Sequence, residues 1–389
     1  MMEMRYVELN EICDVRDGTH DSPKYVQEGF PLVTSKNIID GKLDLSTVNY
    51  LTQKDYDKIN ERSKVDRGDI IMPMIGTIGN PLLIGDFYKF AIKNVALIKF
   101  PNKNISNRYI WYFLKSDAFN KYVAEKNRGG TQKFLSLNDI RRMKVPYISY
   151  FEQISVVEKL DMVYKVIMQR IKELQLLDDL IKARFVEMFG SIYDNKYGYN
   201  VMTLQDVCEP IKDGTHQTPT YTEDTVNGFK FLSSKDVTSG KVDWDHLKYI
   251  PEELHNELYK RISPRKGDIL LAKNGTTGVA AIVDRDEVFD IYVSLALLKP
   301  LEMVTAEYLC SAVNSLETKH QFDHSLKGIG VPNLHLGEIK KTKIIVPPIE
   351  LQKQFADFVH QVDKSKVVVQ KALDETQILF NSLMQQYFG

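Results

Sequence analysis

Two histidines stand in the same short motif, and their side chains are the first candidates for chemistry. The motif Asp-Gly-Thr-His occupies residues 17–20 and again residues 213–216. Histidine can act as a base, a metal ligand or a hydrogen-bond donor. A metal site needs further ligands, however, and no companion set recurs in both copies. Two interpretations stay open, a turn closed by local hydrogen bonds or a contact to nucleic acid. The nucleic-acid candidates in this motif are Thr19, His20, Thr215 and His216.

Polar residues also recur on the loops that follow strand-like runs. Each half of the chain has a Ser-Lys pair, a Gly-Thr turn and a Gly-rich loop with a basic residue. Glycine permits close approach of the backbone, and Arg, Lys, Gln, Asn and Thr can donate to phosphates and base edges. A solvated loop or a tight turn is the alternative for any single residue. The further DNA-binding candidates are Lys36, Thr77, Arg128, Gln132, Lys133, Lys235, Lys273, Asn274, Thr276, Thr277 and Lys327.

These loops agree in position between the two halves but differ in side chains. Residues 72–75 are Met-Pro-Met-Ile, whereas the matching residues 271–274 are Leu-Ala-Lys-Asn. If both halves read a sequence, the loops should differ where bases are touched and agree where the fold is built. The pattern favours two similar domains that recognise two different half-sites.

Motifs for catalysis are missing from the sequence. It has no phosphate-binding GxxxxGK[ST] loop, no HExxH, no GxSxG, and no GxGxxG at a strand-to-helix turn. The three cysteines, Cys13, Cys208 and Cys310, have no CxxC spacing, which argues against a zinc cluster or a disulfide framework. We therefore expect neither a metal nor a cofactor site in this chain, and no catalytic residues.

The elements that must position these residues are given twice. The order of the His motif, the Ser-Lys pair, a Gly-Asp-Ile strand, the Gly-Thr turn and a closing Phe-Gly is repeated along the chain. At 389 residues the chain is long enough for two units that each bury a core. An internal duplication of this kind suits a target that itself comes in two halves.

Composition excludes several classes of protein. Hydrophobic residues at 43% and charged residues at 26% are ordinary for a globular protein. The net charge of −1 is unlike that of a uniformly basic nucleic-acid binder, so any phosphate-binding groups must be sorted onto one face. No apolar run is long enough to span a membrane and the start lacks a signal pattern, so we expect a cytoplasmic protein with no membrane partner.

Short strand-like runs and two exceptionally long helical patterns predict an α+β fold. Single strands are predicted at residues 91–100 and 291–300, and single helices at residues 107–125 and 305–321. Residues 151–189 contain neither Pro nor Gly and carry apolar residues every three or four positions, and residues 350–388 repeat this pattern.

The two long helices predict the domain organisation. Stripes of this length need a partner, and the simplest one is the other helix, packed antiparallel as a coiled coil. Lys366 interrupts the apolar stripe of the second helix. We predict globular domains at residues 1–150 and 191–349, joined by helical segments at residues 151–190 and 350–389.

The motif order resembles that of a known family. A DGTH-x-x-P motif, a Ser-Lys pair, a Gly-Asp-Ile strand, a Gly-Thr turn, a Gly-rich loop and a long helix that begins near a Gln, all given twice, resemble the specificity subunit of type I restriction-modification enzymes. The resemblance covers essentially the whole chain. It implies two target recognition domains, each reading one half of a split site in double-stranded DNA.

The resemblance also implies partners. The helices would set the spacer between the half-sites and dock two modification (methyltransferase) subunits, which use S-adenosylmethionine. Restriction subunits would add ATP- and Mg-dependent translocation and cleavage, so this chain itself would be non-catalytic. The candidates for partner docking are Gln153, Phe185, Phe189, Gln352 and Phe388.

Two rival interpretations belong to other classes of protein. A self-contained, duplicated DNA-modifying enzyme would need a cofactor pocket that the sequence does not reveal. A duplicated carbohydrate-binding or adhesion scaffold would explain repeats without catalysis, but it explains the two long helices poorly.

Overall fold

The chain forms two compact units. The computed structural model describes residues 5–39, 41–76, 78–85, 89–127, 134–325 and 333–389. Unit 1 comprises Met1–Ile171 with Lys371–Gly389, and unit 2 comprises Lys172–Gln370. Each unit therefore contains part of both long helices.

Unit 1 is built from short strands and helices that precede the first long helix. Its strands are β1 (Arg5–Glu8), β2 (Asp14–Asp17), β3 (Phe30–Val33), β4 (Ile38–Ile39), β5 (Lys42–Leu43), β6 (Asn49–Leu51), β7 (Ile70–Pro73), β8 (Leu82–Leu83), β9 (Ala91–Ile92), β10 (Val95–Lys99) and β11 (Lys144–Tyr147). Its shorter helices are α1 (Leu9–Ile12), α2 (Gln53–Ser63), α3 (Asn107–Phe113), α4 (Asp117–Lys126) and α5 (Leu137–Arg142). The long helix α6 runs from Tyr150 to Phe189.

Unit 2 repeats this order after α6. Its strands are β12 (Asn200–Thr203), β13 (Lys212–Asp213), β14 (Phe229–Leu232), β15 (Lys248–Ile250), β16 (Ile269–Ala272), β17 (Ala280–Ile282), β18 (Phe289–Ile291), β19 (Leu295–Leu298) and β20 (Lys343–Val346). Its helices are α7 (Leu204–Val207), α8 (Glu252–Arg261), α9 (Ala306–Val313), α10 (Leu316–Ser325), α11 (Leu336–Lys341) and the long α12 (Ile349–Phe388).

Apart from the antiparallel pair of β4 with β5, which occurs in unit 1 alone among the described residues, the strands pair in the same way in both units. In unit 1, four strands form an antiparallel sheet in the order β2-β10-β7-β8, and a second sheet has the order β6-β3-β9 with β3 and β9 parallel. Unit 2 has the orders β13-β19-β16-β17 and β15-β14-β18. The first strand of each unit pairs with the strand just before the long helix, β1 with β11 and β12 with β20. The duplication seen in the sequence is therefore a duplication of topology.

The central strands are buried on both faces, which explains their continuous apolar runs. In β7, Ile70 and Met72 pack into the cluster that contains the helices, whereas Ile71 packs into the cluster near β3 and β9. In unit 2, Ile269 and Leu270 divide between two clusters in the same way.

Four predicted elements are each two elements in the structure. The run at residues 91–100 is interrupted between β9 and β10, where Asn94 adopts a left-handed backbone with φ 55°. The matching run at residues 291–300 is interrupted between β18 and β19. The helix predicted at residues 107–125 ends at Phe113 and restarts where Ser116 caps α4. The helix predicted at residues 305–321 is similarly divided into α9 and α10.

The predicted antiparallel pairing of the long helices is confirmed within each unit. In unit 1, the start of α6 and the end of α12 share one core, where the ring of Phe388 lies 5.1 Å from that of Tyr109, and Tyr164 lies 6.0 Å from Phe380. In unit 2, the end of α6 packs on the start of α12, with Phe189 lying 5.4 Å from Phe355. Each helix segment is thus held by its own unit's globular core.

Lys366, the interruption predicted from the sequence, is accommodated by an ion pair. Its side chain is buried, and its ammonium lies 2.6 Å from Asp178 of α6 and 3.2 Å from Asp363. Both carboxylates remain about half exposed. The positive charge of Lys366 is therefore paired at the edge of the two helices and is not left unpaired among their apolar side chains.

Two buried glutamines fasten the long helices to the globular parts. The Oε1 atom of Gln153 accepts from the backbone N–H of Ser106 at 2.9 Å, and its Nε2 atom donates to the carbonyl of Ile148 at 3.0 Å. Gln352 accepts from Thr305 at 3.0 Å and donates to Pro347 at 2.8 Å. Each glutamine therefore connects the segment before its own long helix with the N-cap residue of α3 or α9.

Truncating either glutamine should destabilise the unit that contains it. Gln153→Ala or Gln352→Ala leaves a backbone N–H and carbonyl oxygens without partners, and each such buried group costs about 1–3 kcal/mol. We expect a loss of roughly 2–4 kcal/mol in the free energy of unfolding, measured by urea denaturation. Gln175→Ala and Gln361→Ala, at exposed positions on the same helices, are the matched controls. Midpoints equal to those of the controls would contradict the fastening role.

Candidate nucleic-acid interface

The first Asp-Gly-Thr-His motif forms a turn at the end of β2. Asp17 is buried, and its carboxylate accepts hydrogen bonds from Arg62 and from Nε2 of His20, the latter at 2.9 Å. Nδ1 of His20 lies 2.8 Å from Oδ1 of Asn94. The histidine side chain is nevertheless 63% exposed. The predicted turn with local hydrogen bonds is confirmed, and the ring still faces solvent.

The partners of His20 favour its protonated form. The hydrogen bond to Asp17 raises the pKa of His20 most, the hydrogen bond to Asn94 raises it further, and partial burial opposes both. An imidazole that donates from both nitrogens carries a positive charge. The turn therefore presents, at the surface of unit 1, a histidine whose protonated form is favoured.

The second motif repeats this turn at the end of β13 with a denser set of cations. The buried carboxylate of Asp213 lies 2.6 Å from Nζ of Lys273, 3.3 Å from Nε2 of His216 and 3.6 Å from Nη2 of Arg261. Burial alone would raise the pKa of Asp213, but the hydrogen bond and charge of Lys273 outweigh it and hold the pKa below its usual range. Two permanent cations around one carboxylate leave this cluster with excess positive charge.

Lys273 requires a correction to its predicted role. Its side chain is only 7% exposed, and its ammonium is held by Asp213 beneath the turn. A cation in this position cannot reach a phosphate on the surface, so Lys273 positions the turn in this structure. The matching residue of unit 1, Met74, is also buried.

The lysines of the two Ser-Lys pairs lie at the surface, as the predicted contact to DNA requires. Lys36 and Lys235 are exposed, each within a single 3₁₀ turn that follows β3 or β14. Lys235 lies 3.7 Å from Asp236 and is 58% exposed. β3 pairs with β9, and β14 pairs with β18. The His turns are bridged to the residues that directly follow β9 and β18. Each Ser-Lys turn therefore follows the strand next to the one that supports the His turn of its unit.

The Gly-Thr turn of unit 2 connects β16 and β17, as the alternative of a tight turn predicts. The backbone N–H of Gly278 donates to Ala272 at 2.8 Å, Thr276 is exposed and Thr277 is half-buried. Asn274 bridges to Asn333. Among the described residues, neither asparagine Oδ1 has a hydrogen-bond partner. Candidates that lie outside the described residues are Thr77, Arg128, Gln132, Lys133 and Lys327.

All five residues predicted to dock partners are buried within this chain. Gln153 and Gln352 make the hydrogen bonds described above, and Phe185, Phe189 and Phe388 are between 0% and 8% exposed in the two cores. Side chains occupied in this way offer no surface to another protein. The large apolar residues of α6 and α12 that are exposed include Phe151, Met162, Ile171, Leu176, Leu180, Val367, Val368, Ile378 and Leu379.

Sequence reasoning missed Lys93, Asn94 and Tyr292, which lie against the His turns. Thr19 bridges to Lys93, and Thr215 bridges to Tyr292. All three residues are half-buried. The polar Lys-Asn pair inside the apolar run is the available signal, although the flanking apolar residues predict one continuous strand.

Neither a metal centre nor a reactive thiol is found in the part of the chain that the structure describes. No group of three or more His, Cys, Asp or Glu side chains there could hold a metal ion. Burial raises the pKa of Cys13, Cys208 and Cys310 to about 12, so these thiols are not nucleophiles near neutral pH. Among the described helices, none has an apolar stretch sufficient to cross a bilayer.

Comparisons with known proteins agree with this architecture. The family model described as "Type I restriction modification DNA specificity domain" matches residues 1–176 and again residues 196–376. The chain is 22% identical over 381 residues to the type I restriction enzyme MjaVIII specificity subunit of Methanocaldococcus jannaschii, covering 92% of this chain and 88% of the relative. It is 26% identical over 164 residues to the Escherichia coli EcoBI specificity subunit, covering 42% of this chain and 34% of that protein.

Solved structures share the fold. The S subunit of a type I restriction-modification system from M. genitalium aligns with a TM-score of 0.53 at 13% identity, over 100% of this chain and 97% of the other. A chain from a structural study of type I R-M system assembly aligns with a TM-score of 0.55 at 19% identity, over 100% and 98%.

The duplicated family match covers most of the sequence. The chain therefore belongs to the family of type I restriction-modification DNA specificity domains. It has two such domains in tandem, which is the organisation of a type I specificity subunit with two target recognition domains.

The charge state of His20 should depend on Asn94. Asn94→Gly removes the amide but permits the left-handed backbone, so we expect the pKa of His20 to fall towards its usual value. Any stabilisation from the protonated ring is fully present below the unfolded pKa of about 6.5 and is lost as pH rises through the higher folded value. NMR titration of the His20 ring measures this directly. An Asn102→Gly variant is the control, and an equal pKa in both variants would refute the Asn94 contribution.

Proposed function

We propose that each unit reads one half of a bipartite site in double-stranded DNA through the face that carries its His turn. The observation that supports this most is that the same exposed turn is built twice, at the end of β2 and of β13, with different neighbouring side chains. Side chains that are the same in both units can contact the phosphate backbone, which is uniform along DNA. Side chains that differ between the units can contact different bases. Membership of the specificity-domain family supports the same proposal.

The recurring groups form the phosphate-binding part of this proposal. His20 and His216 are exposed, and so are Lys36 and Lys235. Within each unit an exposed lysine thus follows the strand next to the His turn, although the net charge of the chain is −1. In this proposal, a few basic side chains near each His turn supply the phosphate contacts that an overall positive charge supplies in many DNA-binding proteins.

The long helices are proposed to set the spacer and to dock two modification subunits. The apolar side chains exposed along them, such as Phe151 and Met162 in unit 1 and Leu180 in unit 2, are the docking candidates that replace the buried ones. Exposed apolar residues repeated along a helix are typical of protein interfaces. The interaction with restriction subunits is proposed from the family alone.

Catalysis is proposed to belong to the partners. Methyl transfer from S-adenosylmethionine and ATP- and Mg-dependent cleavage would take place in modification and restriction subunits.

The rival hypothesis is that this chain is an autonomous enzyme, and assays of the purified chain distinguish the two hypotheses. We expect it to show neither methyl transfer nor cleavage by itself, and modification of DNA once the modification subunit is added.

The exposed lysines should contribute salt-dependent affinity without base preference. Lys36→Ala and Lys235→Ala should each weaken binding to all duplexes and reduce the slope of log affinity against log salt by about one. Binding of the complex with its modification subunit is measured at several salt concentrations on specific and nonspecific duplexes. Lys353→Ala, at an exposed position on α12, is the control. Unchanged slopes in both variants would remove these lysines from the interface.

Shortening the paired helices should change the spacer and leave both half-sites as they are. The matched deletion removes residues 174–177 of α6 and residues 367–370 of α12, which lie next to the Asp178–Lys366 ion pair. At 1.5 Å per residue this shortens the pair by about 6 Å, or about two base pairs. Mapping of methylated bases reads out the site. New half-site bases with the original spacer would refute the ruler role.

A further inference from the structure

The breaks between β9 and β10 and between β18 and β19 fall at the same point of the repeat. β9 ends at Ile92 and β10 begins at Val95, and β18 ends at Ile291 and β19 begins at Leu295. The residue that follows the shorter strand is Lys93 in unit 1 and Tyr292 in unit 2. A break that recurs in two diverged copies is part of the common architecture.

Backbone hydrogen bonds hold Lys93 between the His turn and the second sheet. Its N–H donates to the carbonyl of Val33, the last residue of β3, at 2.9 Å. On either side of it, the N–H of Thr19 donates to Ile92 at 3.0 Å, and the N–H of Asn94 donates to Thr19 at 3.2 Å.

The same three bonds place Tyr292 in unit 2. Its N–H donates to the carbonyl of Leu232 at 2.8 Å. The N–H of Thr215 donates to Ile291 at 3.1 Å, and the N–H of Val293 donates to Thr215 at 3.0 Å. Because the three backbone hydrogen bonds match one for one, the side chains of Lys93 and Tyr292 extend from equivalent backbone positions in their units.

The side chains at these equivalent positions have unrelated chemistry. The ammonium of Lys93 lies 2.7 Å from the hydroxyl of Ser22, two residues after His20. The Tyr292 ring lies 6.1 Å from that of Phe231, which lies 6.0 Å from that of Tyr221. Unit 1 thus offers an ammonium donor where unit 2 offers an aromatic face and a phenol.

This contrast points to base selection rather than to backbone binding. The His, Thr and Ser-Lys residues on the same face are alike in both units, so they cannot distinguish one half-site from the other. A lysine suits the acceptor edge of guanine, whereas an aromatic side chain suits an apolar contact such as the thymine methyl group. Both side chains are half-buried, which limits the directions in which they can reach.

We propose that Lys93 and Tyr292 are specificity-determining residues, each selecting a base in the half-site read by its own unit. The proposal rests on the proposed function, because it assumes that these faces bind DNA. Asn94 assists by fixing His20, and its left-handed backbone excludes a β-branched substitute such as the Val293 of unit 2.

Reciprocal substitutions test the assignment. Lys93→Tyr and Tyr292→Lys are introduced separately into the full chain, which is expressed with its modification subunit in a host that lacks the sites' methylation. Methylated bases are then mapped across the genome. We expect each variant to change the base preference at one position of one half-site, and the two variants to affect different half-sites. Discrimination at that position should change by roughly ten- to hundredfold. Lys121→Tyr, at an exposed position of α4, should leave the site unchanged.

The outcomes separate the inference from the proposed function. If the unmodified chain yields no bipartite site, the proposed function fails. If it yields one but both variants retain its bases, or both alter the same half-site, Lys93 and Tyr292 are not the selectors. Where a variant abolishes methylation, Lys93→Met and Tyr292→Phe are compared for binding to duplexes that each differ at one base. Equal weakening on every duplex would overturn the proposal, and loss confined to one base position would support it.

Discussion

In each unit the backbone of the His turn lies so close to a strand carbonyl that only glycine fits at the point of approach. A Cβ atom added to Gly18 would lie 2.3 Å from the carbonyl oxygen of Ile92, and one added to Gly214 would lie 2.0 Å from that of Ile291. Backbone atoms cannot shift enough to accept such a contact, so only glycine lets the His turn rest on the end of the strand. The position of the turn, its histidine and the break residue beneath it all depend on this approach.

The sequence predicted the large features of the fold because they rest on periodicity and repetition. The two helices of 40 residues begin and end within one residue of the predicted bounds. Their antiparallel pairing followed from the length of the apolar stripes. Residue type alone could not show which apolar residues remain exposed, because Phe189 and Phe151 both lie in the first helix but are 0% and 85% exposed.

Features that depend on tertiary contacts could not be predicted from the sequence. In the sequence, Lys273 is indistinguishable from an exposed loop lysine. The structure shows that it pairs with the buried carboxylate of Asp213. The His255–Asp290 pair is a second case, in which the two buried side chains lie 2.6 Å apart and burial raises the pKa of Asp290 to about 6. The break at Asn94 could not be predicted, because the apolar residues on both sides continue the strand pattern past this single left-handed residue. In each case the deciding partner lies more than 30 residues away or in the backbone.

Site-specific crosslinking can show whether the two His turns face different halves of one DNA site. A photo-crosslinking amino acid is placed at exposed Asp21 or Gln217, each one residue beyond its histidine. The chain is assembled with its modification subunit on its own duplex, irradiated, and the crosslinked bases are mapped. We expect crosslinks from position 21 to one half-site and from position 217 to the other. Crosslinks from both positions to the same half-site, or from neither while the complex remains bound, would contradict this expectation.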